Sequence, residues 1–203
     1  LLSDPQLNES FMKKKVTRKT PAQAVKKATK KPAKKRTKQR ASAGPNQNPK
    51  QKLYASLVVQ LLSLLKGEHD LVANAANFSA LLFNSLPNVN WAGFYFLQGD
   101  ELVLGPFQGN PACVRIPMGT GVCGVAAQQC ETIIVPNVHE FPGHIACDVA
   151  SNSEIVVPLF DGERLLGVLD LDSPNIGRFD DQDAEGLNEL VTVFVAHEEG
   201  LGI

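Results

Sequence analysis

Apolar residues recur along this chain with two different periods, and the change between them separates helices from strands. Leu53 to Leu65 follow helical spacing, as do Leu71 to Leu82. From Trp91 onwards, short runs of aliphatic and aromatic residues replace that spacing. The pattern predicts helices over residues 51–66, 70–84, 121–129 and 180–199, and strands over residues 91–98, 101–107, 112–117, 132–136, 154–160 and 164–173.

The links between the predicted strands indicate the fold class. Gly99-Asp100 and Asp161-Gly162 are typical of tight turns, so the strands on either side of each turn should run antiparallel. A sheet connected by hairpins leaves its helices to collect on one face. The predicted class is therefore α+β, with a mostly antiparallel sheet.

One segment between the predicted strands has no regular period. Residues 137–153 predict a long loop with a helical turn near Ala146. A loop of that length in a compact domain is typical of a functional or mobile segment. This loop contains Cys147, which lies between His144 and Asp148.

The distribution of charge divides the chain into a basic N-terminal part and an acidic remainder. Residues 1–52 hold 16 Lys or Arg residues and two acids, whereas residues 53–203 hold four basic residues and 19 acids. Residues 1–50 also have too few large apolar side chains to offset the entropy of ordering. They therefore predict a disordered basic tail before a domain over residues 51–203. No apolar run reaches the roughly 18 residues that a membrane span requires.

The basic tail allows several interpretations. The sequence KKPAKKRTKQR is typical of nuclear import or nucleic-acid binding, and it is equally consistent with a solvated leader that has no partner. Because the tail lacks interleaved aromatic residues, any nucleic-acid contact would be to phosphates and sensitive to salt. Lys outnumbers Arg, which disfavours a mitochondrial presequence, and the tail lacks the apolar stretch of a secretory signal. We therefore expect a reducing, cytoplasmic location, with nuclear entry through the tail as an option.

The cysteines of the domain lie in or beside its irregular segments. In a reducing compartment, clustered cysteines more often serve catalysis, redox sensing or metal binding than disulfide stapling. Cys123 lies near the start of the predicted helix 121–129, where the helix N-terminus would lower the pKa of its thiol. Taken singly, each cysteine is better interpreted as a small buried apolar residue, but three cysteines on or near loops weaken that interpretation. The four are Cys113, Cys123, Cys130 and Cys147.

A zinc site is one alternative for these cysteines. Neither Cys-x-x-Cys nor His-x-x-x-His occurs, and the cysteine spacings match no zinc signature, so the sequence predicts no metal. The two loop histidines are more typical of hydrogen bonding than of ligation. The residues weighed for this site are Cys113, Cys123, Cys147, His139 and His144.

Acidic residues form a second candidate site. Asp170 and Asp172 are two apart on a predicted strand, so both point to one face, and Leu169 and Leu171 point to the other. The preceding hairpin can bring Glu154 alongside them. Three acids in a partly buried site would raise the pKa of at least one carboxyl. Acids that simply face solvent are the alternative.

Aromatic residues on the first predicted strand suggest one wall of a pocket. Trp91 is the only tryptophan, and Tyr95 lies on the same strand. Side chains of this size and polarity often line small-molecule sites. Core packing without a binding role is the alternative.

Three stretches of the domain carry a resemblance to a known family. They read GPFQGNPACVRIPMGTGVCGVAAQQ, NVHEFPGHIACDVASNSEIVVPLF and GVLDLDSPNIGRFDDQD. Together they resemble the free methionine-(R)-sulfoxide reductase family, whose enzymes are built on a GAF-type domain, over about residues 53–199. The resemblance implies a six-stranded antiparallel sheet with helices on one side. It also implies reduction of free L-methionine-(R)-sulfoxide to methionine, with thioredoxin as the external reductant and no bound cofactor.

The resemblance further implies a role for three of the cysteines. Cys147 corresponds to the catalytic nucleophile, which becomes a sulfenic acid. Cys113 or Cys123 would then condense with it to a disulfide that thioredoxin reduces, and Cys113 is favoured as the first partner. Cys130 lies outside this set and is interpreted as structural.

The remaining candidates are implied to bind the substrate. Two aromatic residues would surround the methyl-sulfinyl group, and backbone groups of the loop 138–147 would bind the rest of the amino acid. Three acids would hold the substrate ammonium and protonate or orient the sulfoxide oxygen. These residues are Trp91 and Tyr95 for the wall, and Glu154, Asp170 and Asp172 for the acids.

Two other functions fit the same resemblance less well. A GAF-type fold also serves non-enzymatic ligand or redox sensors, because a fold does not settle a function. A sensor has no need of three cysteines and three acids together, which favours the enzyme. A DNA-associated redox protein that uses the tail for localisation could coexist with it. Family likeness also implies a homodimer.

Overall fold

Four α-helices and six strands occupy the part of the chain that this computed structural model describes, residues 48–143 and 150–198. All of it belongs to one unit, residues 42–203. No helix in these described ranges is long and apolar enough to cross a membrane. The elements are α1 (Pro49–Leu65), α2 (Leu71–Ser85), β1 (Trp91–Gln98), β2 (Glu101–Gly109), β3 (Arg115–Pro117), α3 (Gly121–Gln129), β4 (Ile133–Val135), a 3-10 turn (Val138–Glu140), β5 (Ser153–Asp161), β6 (Arg164–Ser173) and α4 (Asp181–Glu198).

Polar caps fix where the three long helices begin. The side chain of Asn48 accepts a hydrogen bond from the backbone N–H of Lys50, and Pro49 opens α1. Asp70 accepts from the backbone N–H of Ala73 at 2.8 Å. Asp180 performs the same role for α4 by accepting from two backbone N–H groups. Each cap satisfies a donor that has no partner inside the helix, which stabilises the first turn.

The six strands form one antiparallel sheet in the order β3-β2-β1-β6-β5-β4. This confirms the predicted α+β class. The two central strands, β1 and β6, are the first and last strands along the chain, and their pairing joins the two halves of the sheet. In the second hairpin Asp161 pairs with Arg164, so the turn lies at Gly162-Glu163, one residue later than predicted. Gly162 has a φ of +60°, which glycine adopts without strain.

The two faces of the sheet have different coverings. The three long helices pack on one face against alternate strand residues such as Ala92 and Phe94. Trp91 and Tyr95 point to the other face, where they pack with α3. The expectation of helices on one side therefore holds for α1, α2 and α4, and α3 lies opposite them. The strands that flank α3 along the chain lie at opposite edges of the sheet, so the chain must cross a face to link them.

Two predicted segments differ in detail from the structure. The strand expected over residues 112–117 begins only at Arg115, because Ala112 to Val114 lie before the edge pairing with β2. The expected loop over residues 137–153 starts with the 3-10 turn and ends where β5 begins. The helical turn expected near Ala146 falls outside the described residues, as does the predicted tail as far as residue 47.

A buried ionic cluster joins α1 to the start of α4. The Asp183 carboxylate is fully buried, and it accepts hydrogen bonds from Lys50 at 2.7 Å, Tyr54 at 2.8 Å and Arg178 at 3.1 Å. Burial raises the pKa of the Tyr54 hydroxyl, and the negative charge of Asp183 adds to this. One turn along α4, the absence of a side chain at Gly186 makes room for the Tyr54 ring.

Candidate active site

Three acidic side chains lie together on the face of the sheet that α3 covers. Glu154 of β5 is directly opposite Asp172 of β6, and Asp172 is opposite Trp91 of β1. Asp170 lies two residues along β6, opposite Val156. Leu169 and Leu171 point into the core under the long helices, as the alternation along the strand predicts. The structure therefore brings all three predicted acids into one row.

Two of the three acids are withdrawn from solvent. Glu154 and Asp170 are each 6% exposed, and Asp172 is half-buried. The alternative in which the acids face solvent is therefore wrong for the first two. Burying a carboxylate is costly unless it is paired or protonated. None of the ion pairs among the described residues includes Asp170, and its Oδ1 has no hydrogen-bond partner there.

Burial shifts the pKa values of these acids upward. It raises the pKa of Asp170 to about 7, although hydrogen bonds with Cys123 and Glu154 oppose the shift. Burial also raises the pKa of Glu154 well above its ordinary value, and the negative charges of Asp170 and Asp172 add to it. Because both pKa values are raised and the two carboxyls interact, the pair keeps a proton to higher pH than ordinary carboxyls do. The site is thus equipped to give a proton to a reacting oxygen.

Cys123 of α3 lies directly over this acidic row. Its Sγ is 3.8 Å from Oε1 of Glu154, and the residue is buried. Burial raises the pKa of the thiol well above its ordinary value, and the charges of Asp170 and Glu154 raise it further. The expectation that the helix N-terminus lowers this pKa is wrong, because desolvation and two adjacent carboxylates outweigh the dipole of a nine-residue helix. Cys123 is a thiol that donates to Glu154.

Aromatic rings form a wall beside the acids. Trp91 and Tyr95 stack with their centroids 5.9 Å apart, and Phe107 of β2 extends the stack at 5.3 Å from Trp91. The Trp91 Nε1–H donates to the backbone carbonyl of Asn110 at 3.1 Å. Trp91 and Tyr95 are both buried, so each residue packs in the core and also lies beside the acids. Sequence reasoning missed Phe107. It lies opposite Gly93 in the pairing of β1 with β2, and a glycine opposite an aromatic residue in a predicted hairpin is the feature that could have indicated it.

The aromatic wall also reaches one of the candidate cysteines. The hydroxyl of Tyr95 donates to the backbone carbonyl of Cys113 at 3.1 Å. Cys113 is half-buried and disulfide-bonded, whereas Cys123 and Cys130 are free thiols. Cys147, the predicted nucleophile, lies outside the described residues.

The zinc ligands weighed from the sequence do not form a described cluster. His139 is exposed on the 3-10 turn, where its Nε2 lies 2.9 Å from Oδ1 of Asn152, and His144 lies outside the described residues. A different group, Cys123, Glu154 and Asp170, has ligand atoms that all lie within 4.8 Å of one another. Cys130 caps the C-terminus of α3 in a left-handed conformation and is not a member of this group.

Comparison with known proteins identifies the class and then the family. The GAF domain family matches residues 79–195, so this chain contains a GAF domain. A free methionine-R-sulfoxide reductase of Escherichia coli (strain K12) is 54% identical over 140 residues, which cover 69% of this chain and 85% of that protein. The chain belongs to the free methionine-R-sulfoxide reductase family and is an oxidoreductase, which disfavours the sensor alternative.

Solved structures support the same assignment. The free methionine-R-sulfoxide reductase of Neisseria meningitidis in complex with its substrate is 43% identical, with a TM-score of 0.73 over 79% of this chain and 96% of that one. The substrate complex of the Staphylococcus aureus enzyme is 50% identical, with a TM-score of 0.69 over 71% of this chain and 95% of that one.

Proposed function

We propose that this chain reduces free L-methionine-(R)-sulfoxide to L-methionine, with thioredoxin as the external reductant and no bound cofactor. The observation that carries the proposal is the pair of adjacent buried carboxyls, Glu154 and Asp170, beside an aromatic wall, where burial raises the pKa of both acids. A sulfoxide oxygen leaves only when it is protonated, so such a donor is what the reaction needs. The relatives with this activity supply the substrate class.

The first chemical step is assigned to Cys147. Its thiolate attacks the sulfoxide sulfur while the Glu154–Asp170 pair gives a proton to the oxygen. The attack forms a sulfur–sulfur bond, and this bond breaks together with the sulfur–oxygen bond as the hydroxyl passes to the Cys147 sulfur. Methionine leaves, and Cys147 becomes a sulfenic acid. The methionine sulfur gains two electrons and the cysteine sulfur loses two. Asp172 is the most exposed of the three acids and is opposite Trp91, which suits it to hold the substrate ammonium.

The second step regenerates the nucleophile. The Cys113 thiol displaces water from the sulfenic acid and forms a disulfide with Cys147, and thioredoxin reduces that disulfide by thiol exchange. Two observations favour Cys113 over Cys123 as the resolving residue. Cys113 is disulfide-bonded and held by Tyr95, whereas Cys123 is a buried free thiol that donates to Glu154. Cys123 then positions the acid rather than resolving the sulfenic acid.

The proposal is tested by supplying the separate R and S epimers of free methionine sulfoxide. Thioredoxin, thioredoxin reductase and NADPH couple turnover to a fall in NADPH absorbance. We expect consumption with the R epimer only, loss of turnover in Cys147→Ser and normal turnover in Cys130→Ser. Absence of turnover with either epimer would overturn the proposed reaction. Turnover that survives in Cys147→Ser would keep the reaction but remove its assigned nucleophile.

The remaining expectations concern assembly and location. We propose that the chain forms a homodimer, which the exposed apolar residues Val59 and Leu62 of α1 favour, and light scattering of the full chain tests it. The proposed location is the cytoplasm, with the tail contacting nucleic-acid phosphates or directing nuclear import. Phosphate contacts predict binding to duplex DNA that weakens steeply with added salt. Binding that is insensitive to salt would argue against that role.

A further inference from the structure

One thiol and two carboxyl groups converge under α3 from three separate elements of the fold. Cys123 comes from α3, Glu154 from β5 and Asp170 from β6. One potential ligand atom of each lies within 4.8 Å of the other two, and all three residues are buried. These three residues are 31 and 16 positions apart in the sequence, so no short sequence motif contains them.

Asp170 has a free acceptor and no cationic partner among the described residues. Its carboxylate is buried, its Oδ1 has no hydrogen-bond partner among the described residues, and none of their ion pairs involves it. By contrast, the fully buried carboxylate of Asp183 has both Lys50 and Arg178 as partners. A buried carboxylate without such a partner is costly and is readily satisfied by a bound positive ion.

We propose that Cys123, Glu154 and Asp170 bind one thiophilic divalent transition-metal ion, for which Zn²⁺ is the best match. Zinc takes one thiolate and two carboxylate oxygens in tetrahedral geometry and leaves a fourth position open. Two such ligands, one sulfur and one oxygen, would be roughly 3.6 Å apart around a tetrahedral zinc ion. The Sγ of Cys123 and Oε1 of Glu154 are 3.8 Å apart. The ion therefore fits with a small adjustment of side chains.

The thiol distinguishes a metal site from a site for an organic cation. A substrate ammonium is satisfied by carboxylates alone, whereas a thiolate adds affinity only for a thiophilic ion. On binding, the Cys123 sulfur–hydrogen bond is replaced by a sulfur–metal bond and the proton is released to solvent. If the proposed reductase activity holds, the ion would displace the proton that Glu154 and Asp170 supply. Zinc would then inhibit turnover until a chelator removes it.

Cobalt(II) provides an optical test that does not depend on turnover. The full chain is reduced, freed of reductant and titrated with Co²⁺, and thiolate-to-cobalt absorbance in the near ultraviolet is followed. We expect saturation at one equivalent, displacement of cobalt by Zn²⁺, and loss of the band in Cys123→Ser. Cys130→Ser and Cys147→Ser should keep the band. The nearly isosteric Asp170→Asn should weaken binding at least about tenfold.

Several results would overturn the proposal. They are an absent band, a band that persists in Cys123→Ser, and an unchanged affinity in Asp170→Asn. Loss of the band in Cys147→Ser would likewise move the site to other thiols. A chain that binds cobalt as expected but does not reduce methionine sulfoxide would leave the metal site standing and overturn only the proposed function.

Discussion

Replacing Asp170 by asparagine tests how the burial of this acid makes the stability of the fold depend on pH. Asparagine keeps the shape of the side chain and cannot ionise. Burial raises the pKa of Asp170 from 3.8 to about 7 in the folded protein. The folded state therefore binds the proton more tightly than the unfolded state, and stability falls as the pH rises between these two values.

The size of the effect follows from the same shift. One pKa unit corresponds to about 1.4 kcal/mol, so ionising Asp170 costs up to about 4 kcal/mol of folding free energy above pH 7. That cost disappears below the unfolded pKa, where both states are protonated. Asp170→Asn should therefore gain stability relative to the parent chain as the pH rises from 5 to 8. Its reductase turnover should fall, because the shared proton is lost.

The assay is urea unfolding followed by the fluorescence of Trp91, which is the only tryptophan and is 2% exposed. The free energy of unfolding is measured for both chains at several pH values. Asp172→Asn is the matched control, since Asp172 is half-buried and should change this dependence less. Parallel curves for the parent chain and Asp170→Asn would refute the reasoning, because Asp170 would then titrate alike in the folded and unfolded states.

Three further substitutions test other parts of the molecule. Asp183→Asn should lower the free energy of unfolding by about 3 kcal/mol, because it removes the carboxylate partner of the mostly buried Arg178 and leaves Lys50 with only the exposed Asp180; Asp161→Asn breaks an exposed pair and should cost less than about 1 kcal/mol. An equal loss in both would contradict the role of burial. Gly186→Ala should lower the free energy of unfolding by about 1–3 kcal/mol through overpacking against the Tyr54 ring, and with it the melting temperature, with normal turnover in the surviving folded protein; an unchanged melting temperature would show that the adjacent ring moves freely. Tyr95→Phe removes the hydrogen bond to the carbonyl of Cys113, so steady turnover with thioredoxin should slow while a single turnover forms methionine at the parent rate. Equal slowing of both would place the hydroxyl in the first step instead.

Most of the fold is readable from the sequence because its elements are locally encoded. Apolar spacing and polar caps locate α1, α2 and α4 within about two residues, and Gly99-Asp100 marks the first hairpin. The face on which α3 lies is not encoded in that way. It follows from the positions of β3 and β4 at opposite edges, which require a crossover, and from the three long helices that cover the other face.

In the candidate site, too, the locally encoded features are predictable from the sequence and those that depend on tertiary contacts are not. Alternation along β6 places Asp170 and Asp172 on one face, and the hairpin brings Glu154 alongside, so the acidic row is predictable. The state of Cys123 is not, because its position near a helix N-terminus is local whereas its burial against two carboxyls is tertiary. For the same reason the group formed by Cys123, Glu154 and Asp170 has no signature in the sequence.

The pairing of β1 with β6 has a consequence for biosynthesis. These strands are neighbours in the centre of the sheet, yet about seventy residues separate them along the chain. While the ribosome is still making the segment between them, β1 exposes an unpaired edge and the acidic row does not exist. Nascent chains with such edges are prone to aggregate, and sheets closed by distant strands fold slowly. The reductase site is therefore assembled only after translation has passed β6, and α4 must follow before the core beneath it is sealed.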